Sequence, residues 1–537
     1  MRVIYFKNGK KHTTKNSNSD LSLFESRERN HTVVKLTANE DLVLHKADVS
    51  YPCHINFKDL YFLNGYQSWT DTREYHLKDR LRNIKKSPHI ISHKFAMDRY
   101  GDAGFYNYSI KKSHGYDVFY SKGKYETFIY NLNYKTAYLI IELIKDRSSI
   151  HLISDVDGLL VKKGQEVTIF DYYYFDNFEK GLYEFWHAFP YKNLKKLLGY
   201  TSWYNYYQNI NEDIIIRDLE ALDSRFDVFQ IDDGYETYVG DWLDVDLKKF
   251  PHGLKPIFDK IHSKGYKVGL WLAPFVAETN SKLFKERPSW IRKDKKGRPI
   301  KAGGNWSGFY SLDLENPEVI SYIKKCLTHY VDMGVDFFKL DFLYAGALPK
   351  YQNKTRCQVQ DESYQLLKDT LKDKTILGCG ANIINSYNHF DYLRIGPDVS
   401  LIFDDVLYMR LFHRERVSTK VTIQNTIYRS FMNNHLFGND PDVFLLRDDN
   451  IQLTKEQRNA LTTLNALFGR LLFTSDNIAT YDEEKKALFD KALYLFYNAK
   501  DRRYITKGHL IKINFMLDGE KQYLTYNIKK GVLTYER

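Results

Sequence analysis

Two rhythms of apolar and polar residues divide the chain. Over the first third, apolar positions come in short β-branched and aromatic runs: TVVKLTA (32–38), DLVLHKADV (41–49), YETFIYNLN (125–133), TAYLIIELI (136–144), SIHLISDV (149–156) and QEVTIFDYYYF (165–175). Turn-type residues separate them. Many short strands without intervening helices predict a β-sandwich. NFEKGLYEFWHAF (177–189) then shows helical spacing and leads out of that region.

From residue 196 the rhythm becomes strand, loop, helix, repeated. Eight strand candidates follow: LLGYTSW (197–203), FDVFQIDDG (226–234), YKVGLWLAP (266–274), DFFKLDF (336–342), KTILGCGA (374–381), YLRIGPD (392–398), the segment 436–447 and LLFTSD (471–476). Amphipathic helices such as NEDIIIRDLEAL, GLKPIFDKIHSKG, VISYIKKCLTHYVDMG and SYQLLKDTLKD alternate with them, and 406–433 reads as one long helical region. Near-continuous apolar strands between such helices predict a parallel sheet. Eight units in roughly 280 residues match a (β/α)8 TIM barrel. A doubly wound sheet is the alternative, but GCGANI (378–383) lacks the third glycine of the phosphate turn that usually accompanies it. After residue 476 short strands return as ALYLFYNA, HLIKINFM, QYLTYNI and VLTYER. The expected plan is an N-terminal β-sandwich domain (1–190), a catalytic barrel (191–478) and a small C-terminal all-β domain (479–537).

Composition narrows the class. At 43% apolar and 27% charged, the 537 residues fit a soluble globular protein. No run of 18 apolar residues predicts a membrane span. The N-terminus MRVIYFKNGKKHTTKNS has no continuous apolar stretch, so no secretory signal is expected there. Cys53, Cys326, Cys357 and Cys379 are too scattered for a disulfide framework or a paired-cysteine metal site, which points to a cytoplasmic protein. No ligand spacing links the histidines, so neither a metal nor another cofactor is expected. The net charge of +11 comes from lysines spread beside acids, as in KDKKGRP and KDTLKDK. That pattern predicts a solvated surface rather than a nucleic-acid patch. With 43 tyrosines the chain is rich in the flat side chains that sugar clefts use. Self-association into a homo-oligomer is left open.

Whatever its reaction, a TIM barrel places its chemistry at the C-terminal ends of the strands. The polar residues there are Asp232 and Asp233, Lys339 and Asp341, Arg394 and Asp398, joined by Trp203 and Cys379. Side chains two or four apart on a strand share a face, so Lys339 lies with Asp341 and Arg394 with Asp398. Lys339 is expected to keep Asp341 ionised, as a nucleophile requires. A general acid needs the opposite shift, so Arg394 is expected to serve substrate or another carboxylate. Two carboxylates across a barrel mouth, without HExxH, GxxxxGK[ST] or GxSxG, suggest glycoside hydrolysis. Each residue also has a plain structural reading. A strand-ending Asp commonly caps a helix or forms a turn, a lone Cys packs, and a Trp fills a core.

FQIDDGY (229–235), FFKLDF (337–342) and YLRIGPDVS (392–400) resemble signature segments of glycoside hydrolase family 36, the α-galactosidases. NGYQSW (64–69), GYTSWYNYY (199–207), GLWLAPF (269–275), YSLDLENPEV (310–319) and NDPDVFLLR (439–447) resemble further family segments, in family order. The resemblance covers nearly the whole chain and is to the shorter members. It implies that Asp341 is the nucleophile and Asp398 the general acid/base of a retaining hydrolase. It further implies that Asp232 and Asp233 hold galactose hydroxyls, that Lys339 and Arg394 are further sugar contacts, and that Cys379 lies near the 2-hydroxyl. Trp203 and Trp306 match stacking or wall residues. Trp69 matches a residue that reaches the cleft, within one subunit or across an interface. The implied substrates are small α-galactosides such as melibiose or raffinose-type oligosaccharides. The alternatives are an α-N-acetylgalactosaminidase, a galactosyl transferase, or a carbohydrate-binding protein with a dead barrel. Tyr66 and Tyr235 stand where related members often carry tryptophan, which is expected to reshape the subsites beyond galactose.

Overall fold

In the computed structural model, which describes residues 1–54, 56–86, 89–348 and 353–536, alternating inward and outward residues build two antiparallel sheets from the N-terminal third. His31–Ala38 shows the pattern, with buried and half-buried positions taking turns. One sheet runs in the order Lys10–Thr14, Arg2–Lys7, Leu42–Pro52, Ser149–Ser154, Leu139–Ile144, Lys112–Tyr116. The other runs Leu21–Glu28, His31–Ala38, Glu166–Phe175, Thr127–Asn131, Val118–Lys122, Leu60–Leu63, Glu74–His76. Val3, Leu36, Leu44, Ile129, Ile141 and Phe170 fill the space between them. Helix Phe178–Ala188, capped by Asn177 Oδ1 accepting from the Lys180 N–H, lays Phe185 against Phe128 and Tyr130 on the second sheet's outer face.

The barrel strands are Leu197–Thr201, Val228–Ile231, Lys267–Leu272, Phe337–Leu340, Thr375–Gly378, Tyr392–Arg394, a seventh in two pieces, and Leu471–Thr474. All pair in parallel and in chain order, and the last pairs back onto the first. Gly438–Asp440 pairs with the sixth strand and Val443–Phe444 with the eighth. The break has a local cause. Pro441 has no N–H to give the ladder, and Asp442 takes a φ of +69°.

Two expectations are corrected. The segment ALYLFYNA is not a strand but the end of helix Glu483–Asn498, which packs on helix Lys455–Phe468. Its buried Phe489, Ala492, Leu493 and Phe496 recur at helical spacing, although the short aromatic run looked strand-like. The region 406–433 is not one helix. It holds Leu407–Phe412 and Thr419–Tyr428, with a loop between them that lines the cleft described below. The chain closes with four antiparallel strands, Lys500–Lys507, Leu510–Leu517, Glu520–Asn527 and Val532–Glu536. Among the described residues no helix is long and apolar enough to cross a membrane.

One buried side chain makes several of the bonds that fasten the N-terminal layer to the barrel. Arg429, fully enclosed, donates from Nε to Asn64 Oδ1 (3.1 Å), from Nη1 to Ser68 O (2.8 Å) and Ile395 O (2.7 Å), and from Nη2 to Gln67 O (3.3 Å). Burial pulls its pKa down, and its charge is held by these oxygen dipoles rather than by a carboxylate. Replacing it leaves several buried acceptors unpaired, while relieving the burial of one charge. Arg429→Met is therefore expected to destabilise the protein by about 3 kcal/mol. The expected readout is a lower midpoint of the first thermal transition, with altered tryptophan fluorescence. An unchanged midpoint would show that Arg429 does not fasten the layers.

Candidate active site

A cleft of about 450 Å³ opens at the C-terminal ends of the barrel strands. Asp232, Asp233, Lys339, Asp341 and Asp398 line it, and Trp69, Trp203, Trp271 and Trp306 form much of its wall. The structure thus brings together eight of the ten residues singled out from the sequence. Cys379 and Arg394 lie just behind the surface, both buried.

The second strand delivers Asp232 and Asp233 on successive positions. Asp232 Oδ2 accepts from Lys339 Nζ (2.9 Å), Gln230 Nε2 (2.6 Å) and Thr201 Oγ1 (3.1 Å). Burial works against the Lys339 ammonium, but Asp232, with smaller help from Asp341 and Cys379, outweighs it and its pKa is raised. The direct partner of Lys339 is thus Asp232, not Asp341 as the shared strand face suggested. Asp233 accepts from Trp306 Nε1 (2.8 Å) and Gln208 Nε2 (3.0 Å). The turn beyond it requires Gly234, whose φ is +119° and whose absent Cβ would stand 2.8 Å from the Gln208 backbone. Burial, and then Asp233 beside it, push the Glu236 carboxyl well above its ordinary range.

Asp341 ends the fourth strand. Its Oδ1 accepts from the Phe342 N–H (2.7 Å) and its Oδ2 from Trp271 Nε1 (3.1 Å). Phe342, Trp306 and Asp442 all have positive φ, a cost of the order of 1–3 kcal/mol each that clusters around this cleft. Across from Asp341, Arg394 meets three carboxylates: Asp398 through Nη1 (2.8 Å), Asp440 through Nε (2.7 Å) and Asp442 through Nη2 (2.8 Å). The arginine therefore serves other carboxylates, as expected, but it also lies against Asp398. Burial nevertheless raises the Asp398 pKa, despite the opposing pull of Arg394. Two further carboxylates share that guanidinium, and Asp341 adds like charge.

Trp69 enters from the N-terminal layer of the same chain. Its Nε1 donates to Cys379 Sγ (3.4 Å), and Ser68 exchanges hydrogen bonds with Ala381. Gly380, at φ +62°, lies under the indole, where a Cβ would approach Trp69 Cζ2 to 3.0 Å. The two tyrosines expected to reshape subsites do not line the cleft. Tyr235 is core, its hydroxyl donating to Trp271 O (3.2 Å), and Tyr66 packs among Phe105, Tyr116 and Tyr138. Sequence reasoning missed Trp271, Gln230, Gln208 and Glu236. Strand parity could have found Gln230, two before Asp232, whereas Gln208 arrives from a separate loop with no local signal.

The arrangement supplies one carboxylate fixed by two donors, a second with a raised pKa, and a bed of acceptors and flat apolar faces. Known proteins resemble this chain in part of its sequence and in its fold. Residues 190–367 match the Melibiase family model. An α-galactosidase of Escherichia coli is 28% identical over 195 residues, or 35% of this chain and 27% of that enzyme. The α-galactosidase Mel36A of Lactobacillus acidophilus is 29% identical over 28% of this chain and 22% of its own length. The chain thus spans about a quarter of the length of these relatives in the aligned regions. Among solved structures, the α-galactosidase TtGalA of Thermus thermophilus, in complex with p-nitrophenyl α-D-galactopyranoside, superposes with a TM-score of 0.72. It is 23% identical, over 96% of this chain and 97% of that one. The family 36 α-galactosidase AgaA of Geobacillus stearothermophilus gives 0.63 at 13% identity, over 94% and 73%. The resemblance to glycoside hydrolase family 36 and the expected fold are borne out.

Burial also determines the thiols. It pushes Cys379 and Cys357 well above the ordinary thiol range, Cys326 to about 12 and Cys53 to about 11. The thiolate is the reactive form. The native protein at pH 7.5 is therefore expected to release no rapid equivalent from Ellman's reagent, and four after denaturation. One fast native equivalent assigned to Cys379 would place that thiol at the cleft surface rather than behind Trp69.

Proposed function

We propose that this chain is a retaining α-galactosidase acting on terminal α-D-galactose of small α-galactosides, such as melibiose or raffinose-type oligosaccharides. The observation that carries the reading is the contrast across the cleft between Asp341 and Asp398. Both oxygens of Asp341 are fixed by donors, whereas Asp398, a third exposed, faces the cleft with a raised pKa. That is the division of labour of a double displacement.

In this reading a carboxylate oxygen of Asp341 attacks the anomeric carbon from the face opposite the leaving group. The Asp398 carboxyl gives its proton to the departing glycosidic oxygen as the C–O bond breaks. A β-linked galactosyl ester forms on Asp341. Asp398, now a carboxylate, takes a proton from water, whose oxygen replaces the ester and releases α-galactose. Asp232 and Asp233 accept from the sugar hydroxyls, the donor-only Lys339 completes the bed, and the tryptophans cover the apolar face of the ring.

The test is hydrolysis of an aryl α-galactoside with the first-formed anomer read by proton NMR. The wild type is expected to release α-galactose first, and Asp341→Ala to lose about 10³-fold or more in kcat. Release of β-galactose, or an active Asp341→Ala, would sink the mechanism. An acetamido substrate tested beside it decides between galactose and N-acetylgalactosamine.

The pH dependence has a definite sign. Protonated Asp398 is the acid, so kcat/KM for melibiose is expected to fall as pH rises through its raised pKa. Asp398→Asn should abolish that alkaline limb together with most of the activity on melibiose. A limb that survives in Asp398→Asn belongs to another group.

A further inference from the structure

A second cavity, of about 330 Å³, lies where the N-terminal layer, the loop after the sixth barrel strand and the C-terminal hairpins meet. Arg73, Arg82, Arg410, Arg416, Lys420 and Lys529 line it, against only Asp71 and Asp404. Asp404 is already committed, accepting from Ser418 Oγ (2.7 Å), Arg416 Nη2 (3.1 Å) and the Asp405 N–H (2.9 Å). Lys420 Nζ stands 3.9 Å from its nearest carboxylate oxygen, on Asp404, beyond hydrogen-bond distance. Arg73 Nε is buried without an acceptor, and its nearest carboxylate oxygen, on Asp71, is 3.7 Å away. Among the described residues Arg82, Arg410 and Lys529 enter no ion pair. Gln424, 3% exposed, also lines the cavity with its amide oxygen unpartnered. Turned about its last bond, that amide presents N–H donors instead.

Polar and charged groups taken out of water need partners, and here the protein supplies donors in excess of acceptors. What is missing is a compact ligand with several acceptor oxygens and at least two negative charges. We propose that this cavity binds a phosphate group, carried by inorganic phosphate or by a sugar monophosphate, and that occupancy acts on the neighbouring cleft. Burial and the neighbouring Arg73 and Arg416 lower the Lys420 pKa, a penalty that a bound dianion relieves. The route to the cleft is short. Arg416 lines both cavities. Helix Thr419–Tyr428 turns Lys420 and Gln424 to the cations, while Thr422 Oγ1 donates to Pro397 O beside Asp398. The Ser418 N–H donates to Asp398 O (3.1 Å). A ligand that fixes this helix and loop also fixes the backbone of Asp398.

The test is calorimetric titration of the full chain with sodium phosphate and, separately, glucose 6-phosphate, at constant ionic strength set with sodium chloride. Saturable one-site binding is expected, weakened at least about tenfold in Lys420→Gln and in the exposed, readily folded Lys529→Glu. Tenfold tighter binding of glucose 6-phosphate identifies a sugar monophosphate as the ligand, and equal affinity identifies inorganic phosphate. Saturating ligand is expected to lower KM for an aryl α-galactoside at least about twofold in the wild type but not in Lys420→Gln. Absence of saturable binding, binding untouched by both variants, or an unchanged KM would each overturn the proposed effector site. The kinetic arm rests on the α-galactosidase reading. The binding arm does not, so a chain without turnover would still be decided by calorimetry.

Discussion

The contact on which the cleft depends is one guanidinium shared by three carboxylates. Arg394 holds Asp398, Asp440 and Asp442 at 2.7–2.8 Å, and neither it nor the last two reach solvent. One positive charge does not neutralise three negative ones in a buried setting, which favours the protonated form in part of the set. Asp442 and Asp398 both have raised pKa values, in each case from burial opposed by Arg394. Tyr204 adds a donor to Asp442, and the Val399 N–H gives another at 2.7 Å. The most exposed member of the set is Asp398. One of the two raised pKa values thus belongs to the carboxyl of the set that faces the cleft.

The opposite side of the cleft is built on different physics. Lys339 and Asp232 form a one-to-one pair, and Asp341 is held by an indole N–H and a backbone N–H rather than by a cation. Neutral donors fix the orientation of a carboxylate without closing it off in an ion pair. The two halves of the site thus differ in how their charge is balanced, although both are made of aspartate and a basic residue on a strand end. The pairing that strand parity suggested, Lys339 with Asp341, fails because barrel strands twist and lie side by side. The inward lysine reaches past the third strand to Asp232, which ends the second.

Most of the barrel was legible because its strands are short apolar runs between amphipathic helices, and because the motif aspartates sit where those runs stop. What was not legible came from long-range contact. Nothing near Trp69 in sequence announces that Gly380 and Cys379 will receive it, or that Arg429 will hold the backbone of residues 67 and 68 in place. Asp440 and Asp442 were recognisable as a segment but had no assigned work, since the partner that explains them is 46 and 48 positions earlier in the chain. Tyr66 and Tyr235 show the converse. A departure from a family pattern suggested altered subsites, yet both rings are packed in cores away from the cleft.

Helix Thr419–Tyr428 explains why these distant pieces behave as one site. Asn425 on it donates to Thr70 O (3.0 Å) and Ile395 O (3.0 Å) and accepts from the Thr72 N–H (2.8 Å), which binds the Trp69 segment to the sixth strand. Thr422, three residues earlier on the helix, holds the backbone that carries Asp398. Lys420 and Gln424, four apart and so on one face, look towards the cation-lined cavity. A rotation of this helix cannot satisfy one of these three sets of contacts without disturbing the other two. The aromatic wall, Asp398 and the basic cavity therefore share one mechanical element. The local excess of donors over acceptors beside it belongs to the energetics of the cleft rather than to the solvated surface that the overall charge of +11 first suggests.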